Sequence, residues 1–152
     1  MKPTQPRAIS KDDIITFKAF FTHDIPASIA AKTNLLTALG LVCYTEFIGG
    51  IIRGKVGVSA DNRLNFYEAF NKLGDHYKVF DLQLNKEFGY DFYSFFRNGL
   101  AHEYFAKKMF VIAPKSNTGL GIGFHNGNTP SMANEPYFND LLRVLDRYIE
   151  ES

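Results

Sequence analysis

The segment Phe96-Arg97-Asn98-Gly99-Leu100-Ala101-His102-Glu103-Tyr104 gathers side chains suited to chemistry on a phosphodiester. Arginine carries a permanent charge on a planar fork that grips phosphate through two hydrogen bonds. Histidine takes and gives a proton near neutral pH. Asparagine can orient either partner. On a helix, Asn98 and His102 are four apart and share one face, while Arg97 and Tyr104 are seven apart and lie close to a second. Gly99 and Ala101 are small, which would let another helix or a phosphate come close to the backbone. RNA cleavage needs a base beside the 2′-OH, a proton donor for the leaving 5′-oxygen, and positive charge on the phosphorane between them. One motif supplies one histidine, so a two-fold dimer would complete the set. An aromatic-rich core helix carrying one Arg and one His would show the same spacing.

Other chemistries have less support. The four histidines (23, 76, 102, 125) show no ligand spacing, so no metal is expected. No G-x-S-x-G elbow is present, and Cys43 sits in an apolar run that reads as buried core. Glycines 119, 121 and 123 alternate within a strand-like stretch with no helix directly after them, which fits a hairpin better than a phosphate loop. No cofactor is implied.

The elements that must position the motif are mainly helical. Ser10 and Asp13 form a capping-box pattern for a first helix over about 11–23, and Pro26 suits the start of a second, long helix running to Arg53. Between Lys32 and Arg53 the only charge is Glu46, but polar residues and three glycines argue for a core helix and against a membrane span. Asp61 suits the cap of a helix over 62–73, followed by one over 75–88. Asp91 suits the cap of the motif helix, carried to about Lys107. After Lys108 the pattern switches to period two, predicting a β-hairpin over 109–125, then a loop over 126–133 and a last helix from Asn134. The expected fold is therefore an all-α, up-and-down bundle of five to six helices with one small β-hairpin before the C-terminal helix. Residues 1–152 form a single domain in this reading.

Composition narrows the setting. A net charge of +1 is small for a dedicated nucleic-acid binder, yet Arg97, Lys107, Lys108 and Lys115 against Glu103 give a local excess of +3. Fifteen Phe and eight Tyr predict a Phe-rich core, with Tyr rings able to line a groove. One cysteine and an N-terminus without an apolar h-region point to the cytoplasm.

The run from Arg97 to His102, with Asn directly after the Arg and helices on either side, resembles the signature of the HEPN superfamily (higher eukaryotes and prokaryotes nucleotide-binding domains). That resemblance implies a metal-independent endoribonuclease, often in toxin–antitoxin, phage-defence or stress systems, acting as a homodimer on single-stranded RNA. Arg97, Asn98 and His102 would be its catalytic residues. Tyr104 matches the tyrosine modified in toxins paired with a nucleotidyltransferase antitoxin, and Lys107 and Lys108 are further substrate-binding or modification candidates. The hairpin is not part of the minimal bundle. Competing readings are a HEPN-like module that binds a nucleotide or protein without catalysis, and a purely structural helical module.

Overall fold

The computed structural model describes residues 9–102 and 110–152, and of Asn98, Ala101 and His102 the backbone alone. It is mainly helical, with a small sheet immediately before the C-terminal helix. Helix α1 spans Lys11–Ala30, α2 Asn34–Arg53, α3 Asn62–Phe70 and α4 Asp75–Phe88. A π-helical turn, Tyr93–Asn98, runs into α5, Gly99–His102, and α6 closes the chain at Asn134–Glu151.

Helix α1 begins with the expected capping box. The Ser10 hydroxyl accepts from the Asp13 amide at 3.1 Å, and the Asp13 carboxylate accepts from the Ser10 amide at 3.3 Å. Its end corrects the sequence reading. Pro26 lies inside α1 and does not start α2. A proline there withholds one hydrogen bond from the carbonyl four residues back. Burial of Phe21 and Ile25 on either side of that gap keeps the helix going. The break comes instead at Lys32, whose φ of 61° is left-handed. Ser28 and Thr33 tie the break together, hydroxyl to hydroxyl at 2.6 Å, with Thr33 also donating to the Ser28 carbonyl at 3.1 Å.

Helix α2 is the central element. It is long and apolar enough to cross a membrane, with a mean hydropathy of 1.8, and half of that stretch is buried within the fold. Its most extensive packing is against α3. At Gly49 the two helices meet so closely that a Cβ would overlap the Asn65 carbonyl. Asn65 is itself buried and fully engaged. Its side-chain oxygen accepts from Arg53 Nη1 at 2.7 Å, and its amide nitrogen donates to the Lys55 carbonyl at 3.1 Å. Asp61 stands just before α3 but makes no capping bond, lying 3.5 Å from Arg53 instead, and α3 stops at Phe70, three residues before the expected end.

The core is Phe-rich, as composition predicts. Phe92 is fully buried, with its ring 4.7 Å from Phe70, 4.6 Å from Phe96 and 5.8 Å from Phe66. Tyr77 and Tyr137 are also fully buried. Each has a hydroxyl partner, as a buried phenol requires. Tyr77 donates to Asp140 at 2.7 Å, and Tyr137 meets the Thr45 hydroxyl at 2.8 Å.

A β element precedes α6, but its hairpin is not the pair of strands expected over 109–125. Strand β1 is Val111–Ala113, β2 Ile122–His125 and β3 Thr129–Ala133, in the order β1-β3-β2. β2 and β3 form the antiparallel hairpin, while β1 adds to β3 in parallel. The turn uses Asn126 and Gly127, both at positive φ (52° and 81°), the requirement of a type I′ hairpin turn. The stretch 126–133, read from sequence as a loop, therefore supplies the central strand. Gly121 lies at a close approach where a Cβ would collide with the Tyr77 hydroxyl and the Tyr137 backbone.

Candidate functional site

The start of the motif helix is fixed by its neighbours. A helix leaves its first amides without internal partners, and here three are taken in succession. Phe92 N–H donates to Asp81 at 2.6 Å, Tyr93 N–H to the Tyr67 hydroxyl at 3.3 Å, and Ser94 N–H to Asp91 at 2.9 Å. The Asp91 bond is the cap expected from the sequence. Tyr67 in turn donates to Asp81 at 3.1 Å, and burial, followed by the Asp81 charge, keeps that phenol well above its ordinary pKa. Arg63 pairs with Asp91 and lies over the rings of Tyr67 and Tyr93 at 5.6 and 5.5 Å.

From this anchored start the chain enters the π turn, Tyr93–Asn98. Such turns are rare and collect at functional sites. A π turn holds more residues than an α turn, and it ends at Asn98, from which the interval to His102 continues as α5. Arg97 and Asn98 lie in that turn, and His102 is the last residue of α5. The expectations for Tyr104, Lys107 and Lys108, and for the helix beyond His102, lie outside the described residues.

Of Arg97, Asn98 and His102, Arg97 is the one whose side-chain contacts are described. Its Nε donates to Glu46 Oε2 on α2 at 3.1 Å, with 22% of the Arg side chain and 13% of the Glu side chain exposed. Neither terminal nitrogen of Arg97 has a hydrogen-bond partner among the described residues. Burial works against its charge, but the Glu46 hydrogen bond and the nearby Cys43, Glu46 and Tyr93 outweigh it, so its pKa is raised. The guanidinium borders an open cleft of about 230 Å³ lined by Cys43, Glu46, Gly50, Asn62, Asn65 and Arg97, among others.

Sequence reasoning passed over Glu46, which it weighed only as a charge within a candidate span. The signal was present: a single carboxylate in an apolar helix needs a cation or a polar partner. Cys43 also departs from its expected place, being half-buried at the cleft wall. Burial raises its thiol pKa, and the Arg97 charge opposes that rise more than Glu46 assists it. Gly99 is buried, and among the described residues a Cβ there would meet Phe110 at an ordinary 3.8 Å. Among the described residues, no three His, Cys, Asp or Glu side chains gather as a metal set would. Comparison with family models, with curated proteins and with solved structures finds no match.

Proposed function

We propose that this chain is a metal-independent endoribonuclease of the HEPN type, cleaving single-stranded RNA as a homodimer. The observation that carries the reading is the state of Arg97. One edge of its guanidinium is held by Glu46, and the terminal fork, at the rim of a cleft, has no hydrogen-bond partner among the described residues. A fork oriented in this way is suited to bidentate contact with a phosphate whose charge grows in the transition state.

In the proposed reaction the 2′-OH attacks the adjacent phosphorus and loses its proton to a general base. A 2′,3′-cyclic phosphate forms as the bond to the 5′-oxygen breaks, and that oxygen leaves with a proton from a general acid. His102 is assigned to proton transfer, with the second copy's motif supplying the second histidine. Arg97 stabilises the phosphorane, and Asn98 orients substrate or histidine. Tyr104 would be the target of a nucleotidyltransferase antitoxin if the chain belongs to such a pair. A nucleotide added there would block the groove with negative charge, while Lys107 and Lys108 would hold the RNA backbone.

The test is incubation of the purified protein with labelled single-stranded RNA, with and without EDTA. Cleavage should survive EDTA and leave cyclic phosphate ends, and a 2′-deoxy sugar at the cut should block it. His102→Ala should abolish cleavage, and Arg97→Ala should slow it about 100-fold or more. Arg97→Lys should restore only part, because a point charge cannot replace the fork. A second reading has its own observation. The Glu46 contact across 51 positions also suits an arginine that merely locks the motif helix to α2, in a non-catalytic nucleotide-binding or protein-interaction module. Folded wild-type protein that leaves the RNA intact would decide for that module, whereas folded Arg97→Ala and His102→Ala variants that cleave at the wild-type rate would overturn the catalytic assignment.

A further inference from the structure

A second cleft, of about 300 Å³, opens where the end of α2, the turn after α3 and the last turns of α6 meet. It is lined by Ile52, Lys72, Arg143, Val144, Arg147, Tyr148 and Glu151. Three cations line it against one lining carboxylate, with Glu68 and Asp140 paired to two of them.

The cations differ in how they are held. Arg143 is anchored by both terminal nitrogens, Nη1 to Asp140 at 2.9 Å and Nη2 to the Leu73 carbonyl at 2.9 Å. Lys72 sits 3.6 Å from Glu68, an exposed and weak pair. Arg147, one helical turn beyond Arg143, has no ion-pair or hydrogen-bond partner among the described residues. None of those residues occupies its donor fork. Beside it, the half-buried Tyr148 ring packs against the core, with Ile52 and Val144 completing an apolar wall.

We propose that this cleft binds a nucleotide, free or as one unit of an RNA strand, with phosphate on Arg147 and Lys72 and the base against Tyr148. Phosphate matches a free guanidinium fork, and an aromatic base matches a ring beside aliphatic side chains. The volume stands at the low end for small-molecule pockets, which fits a single nucleotide unit better than a helix of a folded partner. Ile52 and Gly50, which border the two clefts, are two residues apart on α2 and so face different sides of it. The site is therefore separate from the Arg97 cleft, and the proposal does not depend on cleavage there.

The probes are AMP, a short 2′-O-methyl oligoribonucleotide that resists cleavage, and a polyglutamate peptide as an acidic control, each titrated by calorimetry. Wild-type protein should bind AMP, the oligonucleotide or both, and weaken as salt rises. AMP binding identifies a free nucleotide as a sufficient ligand, whereas binding of the oligonucleotide alone identifies the strand. Arg147→Glu and Tyr148→Leu should each weaken binding about tenfold or more, the loss expected for one charged hydrogen bond or one stacked base. Arg147 is exposed, so Arg147→Glu should melt like wild type and any loss would be a binding effect. Three results would overturn the site: no binding of either nucleotide probe, binding lost with Arg97→Ala but kept with Arg147→Glu, or polyglutamate binding as tightly as the nucleotides.

Discussion

Helix α2 meets its neighbours through two contrasting seams. Toward α3 it has no slack: Gly49 touches backbone, and Asn65 spends both ends of its amide on Arg53 and Lys55. Toward the motif helix a short distance away, one ion pair between Glu46 and Arg97 stands at the edge of open space. The first seam fixes where α2 lies. The second holds one edge of a cation whose other donors have no hydrogen-bond partner among the described residues. Geometry is secured by contacts that chemistry does not need, so the contacts it does need remain exchangeable.

That contrast can be broken most forcefully at Gly49. Gly49→Ala would drive a methyl into the Asn65 carbonyl, and overpacking against backbone should destabilise by about 3 kcal/mol. Thermal unfolding should show a midpoint lowered by roughly 6–12 °C. An unchanged midpoint would mean that the seam is looser than described. Asn65→Ala comes next. It removes two side-chain bonds and leaves the Lys55 carbonyl without its donor, a loss of about 2 kcal/mol in urea unfolding.

Across the other seam the expected effect on stability is smaller. Glu46→Gln keeps the shape, and should destabilise by about 1 kcal/mol while reducing cleavage more than that loss explains. Equal losses in stability and activity would make Glu46 a structural residue only. The smallest effect is read at Cys43, by following alkylation rate against pH. The Arg97 charge favours the thiolate and the Glu46 charge opposes it. Arg97→Ala should therefore raise the titration midpoint of the thiol, and Glu46→Gln should lower it. Shifts in the opposite directions would show that the three groups do not share the cleft as described.

Local signals carried much of the architecture. The Ser10–Asp13 box, the Asp91 cap, the Phe-rich core and the amphipathic last helix all act within a turn or two of chain, which is the range over which spacing can be read. Features decided at long range were lost. Pro26 looks like a helix start by its own preference, and only the packing of Phe21 and Ile25 overrides it. The strand pairing went astray because β3 contains Pro130 and little alternation, although Asn126-Gly127 was a hairpin turn signal in plain view. Likewise, Arg97 was legible as a candidate site residue, but its carboxylate partner lies 51 positions away, where no periodicity points. The π turn leaves no pattern that distinguishes it from an α-helix in one sequence.

That π turn lets the motif helix absorb a change in chain length. Each residue of an α-helix advances about 100° around the axis. A π turn carries one residue more over about the same rotation. Deleting one residue within 93–98, so that the turn relaxes to α geometry, would leave Phe92 seated and return later positions to nearly their native azimuth, while the turn's own side chains, Arg97 among them, would be re-aimed. In a plain α-helix the same loss would rotate everything after it, so for this helix the turn is the place where length can change and direction be kept.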